Sequence, residues 1–110
     1  MNIAQLQEAT GWTCIGSDTS KTKEIIGVFT GDLLSWVMGH GETGNAWITV
    51  QAHSNIIAVA VLRELSCIVV AHGARLNEDA LEQATTEDIA VFYCDLSSYQ
   101  AAREFVRLGF

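Results

Sequence analysis

Three runs in the second half of the chain, Ala46 to Val50, Cys67 to Ala71 and Ile89 to Cys94, are hydrophobic almost without interruption. Strands that face solvent on one side alternate apolar and polar residues. Continuous runs are the pattern of strands covered on both faces. Helical segments separate them. Ile56 to Leu65 reads as a helix apolar on nearly every side, which needs burial against a sheet or a partner. Glu78 to Thr86 reads as a helix capped by Asn77, and Ser97-Ser98-Tyr99-Gln100 forms a capping box that opens a last helix burying Ala102, Phe105 and Val106. Strand and helix alternating in this order predict βαβ units around a parallel sheet.

The first half fits the same plan. Asn2 with Gln5 makes a capping box for a helix carrying Ile3, Leu6 and Ala9 on one face, and Gly11 stops it. Trp12 to Ile15 is a short strand, and Gly16 to Lys23 is a polar loop holding both lysines. Glu24 to Phe29 is a β-branched strand broken by Thr30-Gly31-Asp32, with Asp32 placed to cap a short helix from Leu33 to Met38. Gly39, His40, Gly41 and Gly44 end that helix in a turn, with His40 as a solvated loop residue. The expected fold is α/β and layered, with a mostly parallel central sheet of five strands flanked by helices.

The 110 residues are expected to make one domain, residues 1–110, with 49% hydrophobic residues for its core. Six Lys plus Arg against 13 Asp plus Glu give a formal charge of −7, the wrong sign for a nucleic-acid groove or an anionic membrane surface. No apolar run approaches the roughly 20 residues of a membrane span, and no basic-then-apolar leader is visible. A cytoplasmic location is expected. Cys14, Cys67 and Cys94 are odd in number and lie in apolar strand-like surroundings without Cys-x-x-Cys spacing, so they read as reduced core thiols.

In a parallel α/β sheet the strand-to-helix corners share the edge at the carboxyl ends of the strands, where ligands bind. Every such corner here carries polar groups: Thr30, Gly31 and Asp32; Gln51, His53, Ser54 and Asn55; His72 and Gly73; and Asp95, Ser97 and Ser98. An imidazole at His53 can donate and accept hydrogen bonds to a purine edge or sugar beside Gln51 and Asn55. It can equally do no more than satisfy open helix amides. Gly73 after His72 permits a positive φ or close approach of a ligand to the backbone. Asp32 and Asp95 also have simple structural readings, as an N-cap and a turn former. The expected ligand site is Thr30, Gly31, Asp32, Gln51, His53, Asn55, His72, Gly73 and Asp95.

Other chemistries have less behind them. No His pair has the i, i+4 or His-x-His spacing of a metal site. There is no Gly-x-Ser-x-Gly elbow and no Gly-x4-Gly-Lys-Ser/Thr loop, so neither a serine hydrolase nor ATP-dependent phosphoryl transfer is indicated. No enzyme activity, cofactor or metal is expected. Trp36, Val37 and Met38 divide between core packing and a surface patch for a partner.

The residues Gly31-Asp32-Leu33-Leu34-Ser35-Trp36-Val37-Met38 and Trp47-Ile48-Thr49-Val50-Gln51 with Asn55 resemble the DRTGG domain family. The likeness continues through Cys67 to Gly73 and Tyr93 to Gly109. In particular the chain looks like the free-standing form of that domain, which is also similar to the N-terminal domain of HPr kinase/phosphorylase without its kinase domain. The resemblance implies a layered α/β fold, frequent homodimerisation and a regulatory role, since related domains accompany nucleotide-sensing CBS domains in pyrophosphatases or precede phosphotransacetylase domains. It also implies companionship with hydrogenase and signalling-ATPase systems. The name-giving motif is altered here: Ala52-His53-Ser54 stands where Asp-Arg is expected, and Ala71-His72-Gly73 where Thr-Gly-Gly is expected. A phosphate-suited arginine is thereby replaced by a histidine. Two functions follow as expectations. One is a non-catalytic regulatory domain, a homodimer sensing a nucleotide or other small polar ligand. The other is an interaction module that docks on a larger redox or signalling enzyme through Trp36 to Met38 and an acidic face.

Overall fold

The computed structural model describes residues 1–110. Four strands, β2 (Gly27–Thr30), β3 (Asn45–Thr49), β4 (Cys67–Val70) and β5 (Ala90–Tyr93), run parallel and lie side by side in chain order. The first strand, β1 (Thr13–Ile15), pairs antiparallel with β5, so the order across the sheet is β1-β5-β4-β3-β2. The mostly parallel α/β sheet expected from the sequence is what forms, with one antiparallel edge.

Alternate side chains along each strand go to opposite layers. Trp47, Ile68, Val70 and Val91 pack with Val37 of α2 (Leu34–His40), Ile56 and Ile57 of α3 (Asn55–Leu62), and Ala80 and Ala84 of α4 (Glu78–Thr86). Ala46, Ile48, Cys67, Val69, Ala90 and Phe92 pack on the other side with Ile3 and Leu6 of α1 (Ile3–Thr10) and with Ala101 and Phe105 of α5 (Ser98–Arg107). Three layers result, with α2, α3 and α4 on one face of the sheet and α1 and α5 on the other. The chain therefore changes faces once after the parallel strands begin, as it leaves β5.

Local signals hold where the chemistry is local. Both capping boxes form, Asn2 with Gln5 and Ser97 with Gln100, and the Asn77 side chain caps α4 as expected. Other expectations are corrected. Asp32 does not cap α2. Leu33 takes the cap position without a side-chain bond, because the Asp32 carboxylate is drawn to the next strand. The second strand begins later than Glu24, which makes only an isolated bridge with Asn2. Helix α2 runs on through Gly39 to His40, so His40 is helical; its ring stacks on Trp36 with centroids 3.8 Å apart. Helix α3 ends at Leu62 instead of Leu65, and it is not covered all round: Leu62 is 68% exposed. Ala9 and Val106 are exposed as well, since the sheet covers only the stripes holding Ile3 with Leu6 and Ala101 with Phe105. Cys67 and Cys94 are buried and Cys14 is partly so, all three as free thiols. No helix is long and apolar enough to cross a membrane.

Candidate ligand-binding site

Because β2 to β5 are parallel, all four strand-to-helix corners lie along one edge of the sheet, as the sequence implies. The corners are joined by hydrogen bonds in two groups. In the first, the Asp32 carboxylate accepts from Thr49 Oγ1 at 2.9 Å and from the Val50 N–H at 2.8 Å, while Gln51 Nε2 donates to the Asp32 carbonyl at 2.9 Å. Thr49 is fully buried, so its hydroxyl needs that partner. Asp32 thus ties the corner after β2 to the corner after β3. His53 Nδ1 accepts from the Asn55 N–H at 3.1 Å, which spends that nitrogen on the first residue of α3.

The second group joins the corners after β4 and β5. His72 and Gly73 are both left-handed, with φ of 59° and 71°, and their N–H groups donate to the carbonyls of Leu96 and Cys94. His72 Nε2 accepts from the Ser98 N–H at 3.1 Å, satisfying one of the open amides at the start of α5. A Cβ at Gly73 would lie 3.4 Å from Asp95 Oδ1, so the two corners are in near contact.

The nine expected residues therefore share an edge, but they do not enclose one hollow. Thr30, Asp32, His53, Asn55, His72, Gly73 and Asp95 are all exposed, and Asp95 alone among the nine lines a cavity. That cavity, about 550 Å³, lies at the carboxyl end of β5, where α4 and α5 leave for opposite faces of the sheet. A change of face at the carboxyl edge opens the crevice that ligands of α/β proteins use. Its polar wall comprises Arg75, Tyr93, Asp95, Glu104 and Arg107, and the chain from Thr10 to Thr13 closes the far side.

The wall is held by its own contacts. The Arg75 guanidinium lies over the Tyr93 ring, 4.5 Å from its centroid, and 3.5 Å from Asp95 Oδ1. The Tyr93 hydroxyl accepts from the Leu76 N–H at 3.1 Å, fixing the ring beneath the arginine. Arg107 pairs with Glu104 at 3.3 Å. Trp12 meets Phe92 and Phe105 edge-on, with centroids 6.3 and 5.9 Å away, which anchors the segment that closes the far side. Two of the six Lys and Arg residues of an acidic chain thus stand at this cavity, each opposed by one carboxylate. Such a wall can bind an anion by exchange for Asp95 or Glu104, or a group carrying both charges.

Sequence reading missed Arg75, Tyr93, Glu104, Arg107 and Trp12. Arg75 was within reach, since it stands two residues after Gly73 in the same corner. Trp12 and Arg107 come from α1–β1 and α5, and nothing in their local pattern points to the end of β5.

The cysteines stand apart from this chemistry. Burial pushes the Cys67 thiol up to about 12, against a smaller opposing effect of the Ser66 hydroxyl, and burial also raises Cys14 and Cys94. None is poised as a thiolate nucleophile.

No family model matches the sequence, and no curated protein is found to be similar to it. Among solved structures, the fold is similar to the regulatory region of Clostridium perfringens pyrophosphatase, with its CBS and DRTGG domains, crystallised with its activator diadenosine tetraphosphate. The TM-score is 0.75 at 16% identity, covering 93% of this chain and 44% of that one. The chain thus spans less than half of that regulatory region, and the likeness is one of fold.

Proposed function

We propose that residues 1–110 form a single non-catalytic regulatory domain that binds a small polar ligand, with adenine nucleotides as the leading class. The observation that carries this reading is the cavity at the change of face after β5, where Arg75, Arg107 and the Tyr93 ring meet. Arginine suits a phosphate, and stacked arginine and aromatic planes suit a base. The fold shared with a regulatory region that binds a dinucleotide supports the same class. In this reading Asp95, Gly73 and His72 border the bound group, and a long ligand extends along the open edge over Gln51, His53 and Asn55 toward Thr30, Gly31 and Asp32.

The test is a thermal-unfolding titration with ATP, ADP, AMP and adenosine. A saturable rise in Tm is expected for the phosphorylated ligands, corresponding to about 2.7 kcal/mol at a hundredfold excess over Kd. Arg75→Ala, at an exposed position, is expected to fold normally and to lose the response. No shift at millimolar nucleotide sinks the reading.

A second reading, docking on a second copy or on a larger redox or signalling enzyme, is favoured by Leu33 and Trp36, which are 66% and 57% exposed on and beside α2. Trp36→Ala then changes oligomeric mass or partner capture and leaves the nucleotide response intact.

A further inference from the structure

Arg75 and Arg107 share the wall of the cavity at the end of β5, but they are held differently. Arg75 is engaged three times. Its guanidinium lies over the Tyr93 ring at 4.5 Å, meets Asp95 Oδ1 at 3.5 Å and donates to the Ala74 carbonyl at 3.1 Å. These contacts fix a plane as well as a charge, and the ring beneath is itself held by the Leu76 N–H. Arg107 has one partner, Glu104, an i, i+3 neighbour on its own helix, and its side chain is 68% exposed. An exposed pair of that kind contributes little and exchanges readily.

The remaining charge around the cavity sets how much anion it can hold. The chain's other basic residues, Lys21, Lys23, Arg63 and Arg103, do not line it. Lys23 and Arg63 are engaged elsewhere, on the carbonyls of Asp88 and Gly41. The last turns of α1 and α5 border the cavity, so two helix carboxyl ends with their partial negative charge adjoin it. Asp95 and Glu104 add two full negative charges. One phosphate finds its counter-ion in Arg107; a second and a third find none.

We infer that the cavity takes a nucleoside monophosphate, with the two arginines in different roles. This rests on the nucleotide reading above and names its ligand more closely. The base lies on the outer face of the half-exposed Arg75 guanidinium, extending the stack that begins at Tyr93. The phosphate takes Arg107 by displacing Glu104. Amino and hydroxyl donors of the ligand suit the Asp95 carboxylate. Polyphosphates are disfavoured, since their outer phosphates meet carboxylates and helix carboxyl ends without a cation.

The test is calorimetric titration of the full chain with adenosine, AMP and ATP, with and without magnesium. AMP is expected to bind about tenfold more tightly than adenosine, as one charge-assisted contact allows, and about tenfold more tightly than ATP. Arg107→Gln brings AMP down to the affinity of adenosine. Glu104→Gln removes the competing carboxylate and tightens AMP about fivefold. Arg75→Lys keeps the charge and loses the plane, so it weakens adenosine and AMP by the same factor. Thermal unfolding without ligand checks that each variant is folded. ATP binding at least as tightly as AMP in either buffer overturns the inference. So does AMP affinity that survives Arg107→Gln, fails to rise in Glu104→Gln, or falls alone in Arg75→Lys. Each of these outcomes leaves the nucleotide reading standing, whereas binding of none of the three ligands ends both.

Discussion

Three residues other than glycine hold left-handed backbone: Glu64, His72 and Asp88, with φ of 53°, 59° and 61°. An L-residue pays about 1–2 kcal/mol there. Glu64 and Asp88 follow the ends of α3 and α4, in the position that usually takes glycine and does so at Gly11 after α1. Asp88 has compensation, since its carboxylate accepts from the Ser17 hydroxyl and its carbonyl from Lys23, tying the loop before β2 to the turn before β5. His72 has compensation through Ser98. The Glu64 side chain makes no hydrogen bond or ion pair, and it borders an open groove lined by Ile26, Val61 and Leu65. Glu64→Gly is therefore expected to stabilise the fold by about 1 kcal/mol. His72→Gly relieves similar strain but forfeits a hydrogen bond of about 0.5–1.5 kcal/mol, so it should be nearly neutral. Urea midpoints of the two variants check the contrast; a destabilising Glu64→Gly means that the strained geometry is held by contacts of the side chain.

At the scale of elements, α5 separates what a helix announces from what its surroundings decide. Its start is dictated by Ser97 and Gln100, whose reciprocal bonds need no partner outside the helix, and it is readable from four residues. Its buried face is set by the sheet. Ala101 and Phe105 are covered, while Val106 is 66% exposed although it is as apolar as its neighbours. Phe105→Ala is expected to cost about 3–5 kcal/mol, since the ring fills the layer between Trp12 and Phe110. Val106→Ala should stay within about 0.5 kcal/mol. Denaturation curves with equal losses for the two would mean a different helix register. The same division explains α3, where composition implied burial all round but Val61 and Leu62 border open cavities. Hydropathy reports what a side chain prefers, and only the neighbouring elements determine whether it is met.

For the whole molecule, the strand order and the shared edge follow from continuous apolar runs and short connections, so the meeting of Asp32 with Gln51 and of His72 with Ser98 was implied by topology. The cavity was not implied, because it depends on β1 running antiparallel beside β5 and on α5 crossing the opposite face; neither leaves a local signal. Burial of the thiols has a consequence at the same scale. The folded chain holds the Cys67 proton up to about pH 12, whereas the unfolded chain releases it near pH 9, the ordinary thiol value. Between these limits the folded state binds more protons, so stability is full below about pH 8.5 and falls as pH rises, by about 1.4 kcal/mol per pH unit for that one group. Cys14 and Cys94, also raised by burial, steepen the fall. Unfolding free energies measured from pH 8 to pH 10.5 should therefore decline in the wild-type chain. Cys67→Ala, less stable at pH 8 because of the space it leaves, should show a distinctly shallower decline. Parallel slopes would mean that Cys67 ionises equally in both states, and the buried layer between the sheet and α1 would then have to admit water to the thiolate.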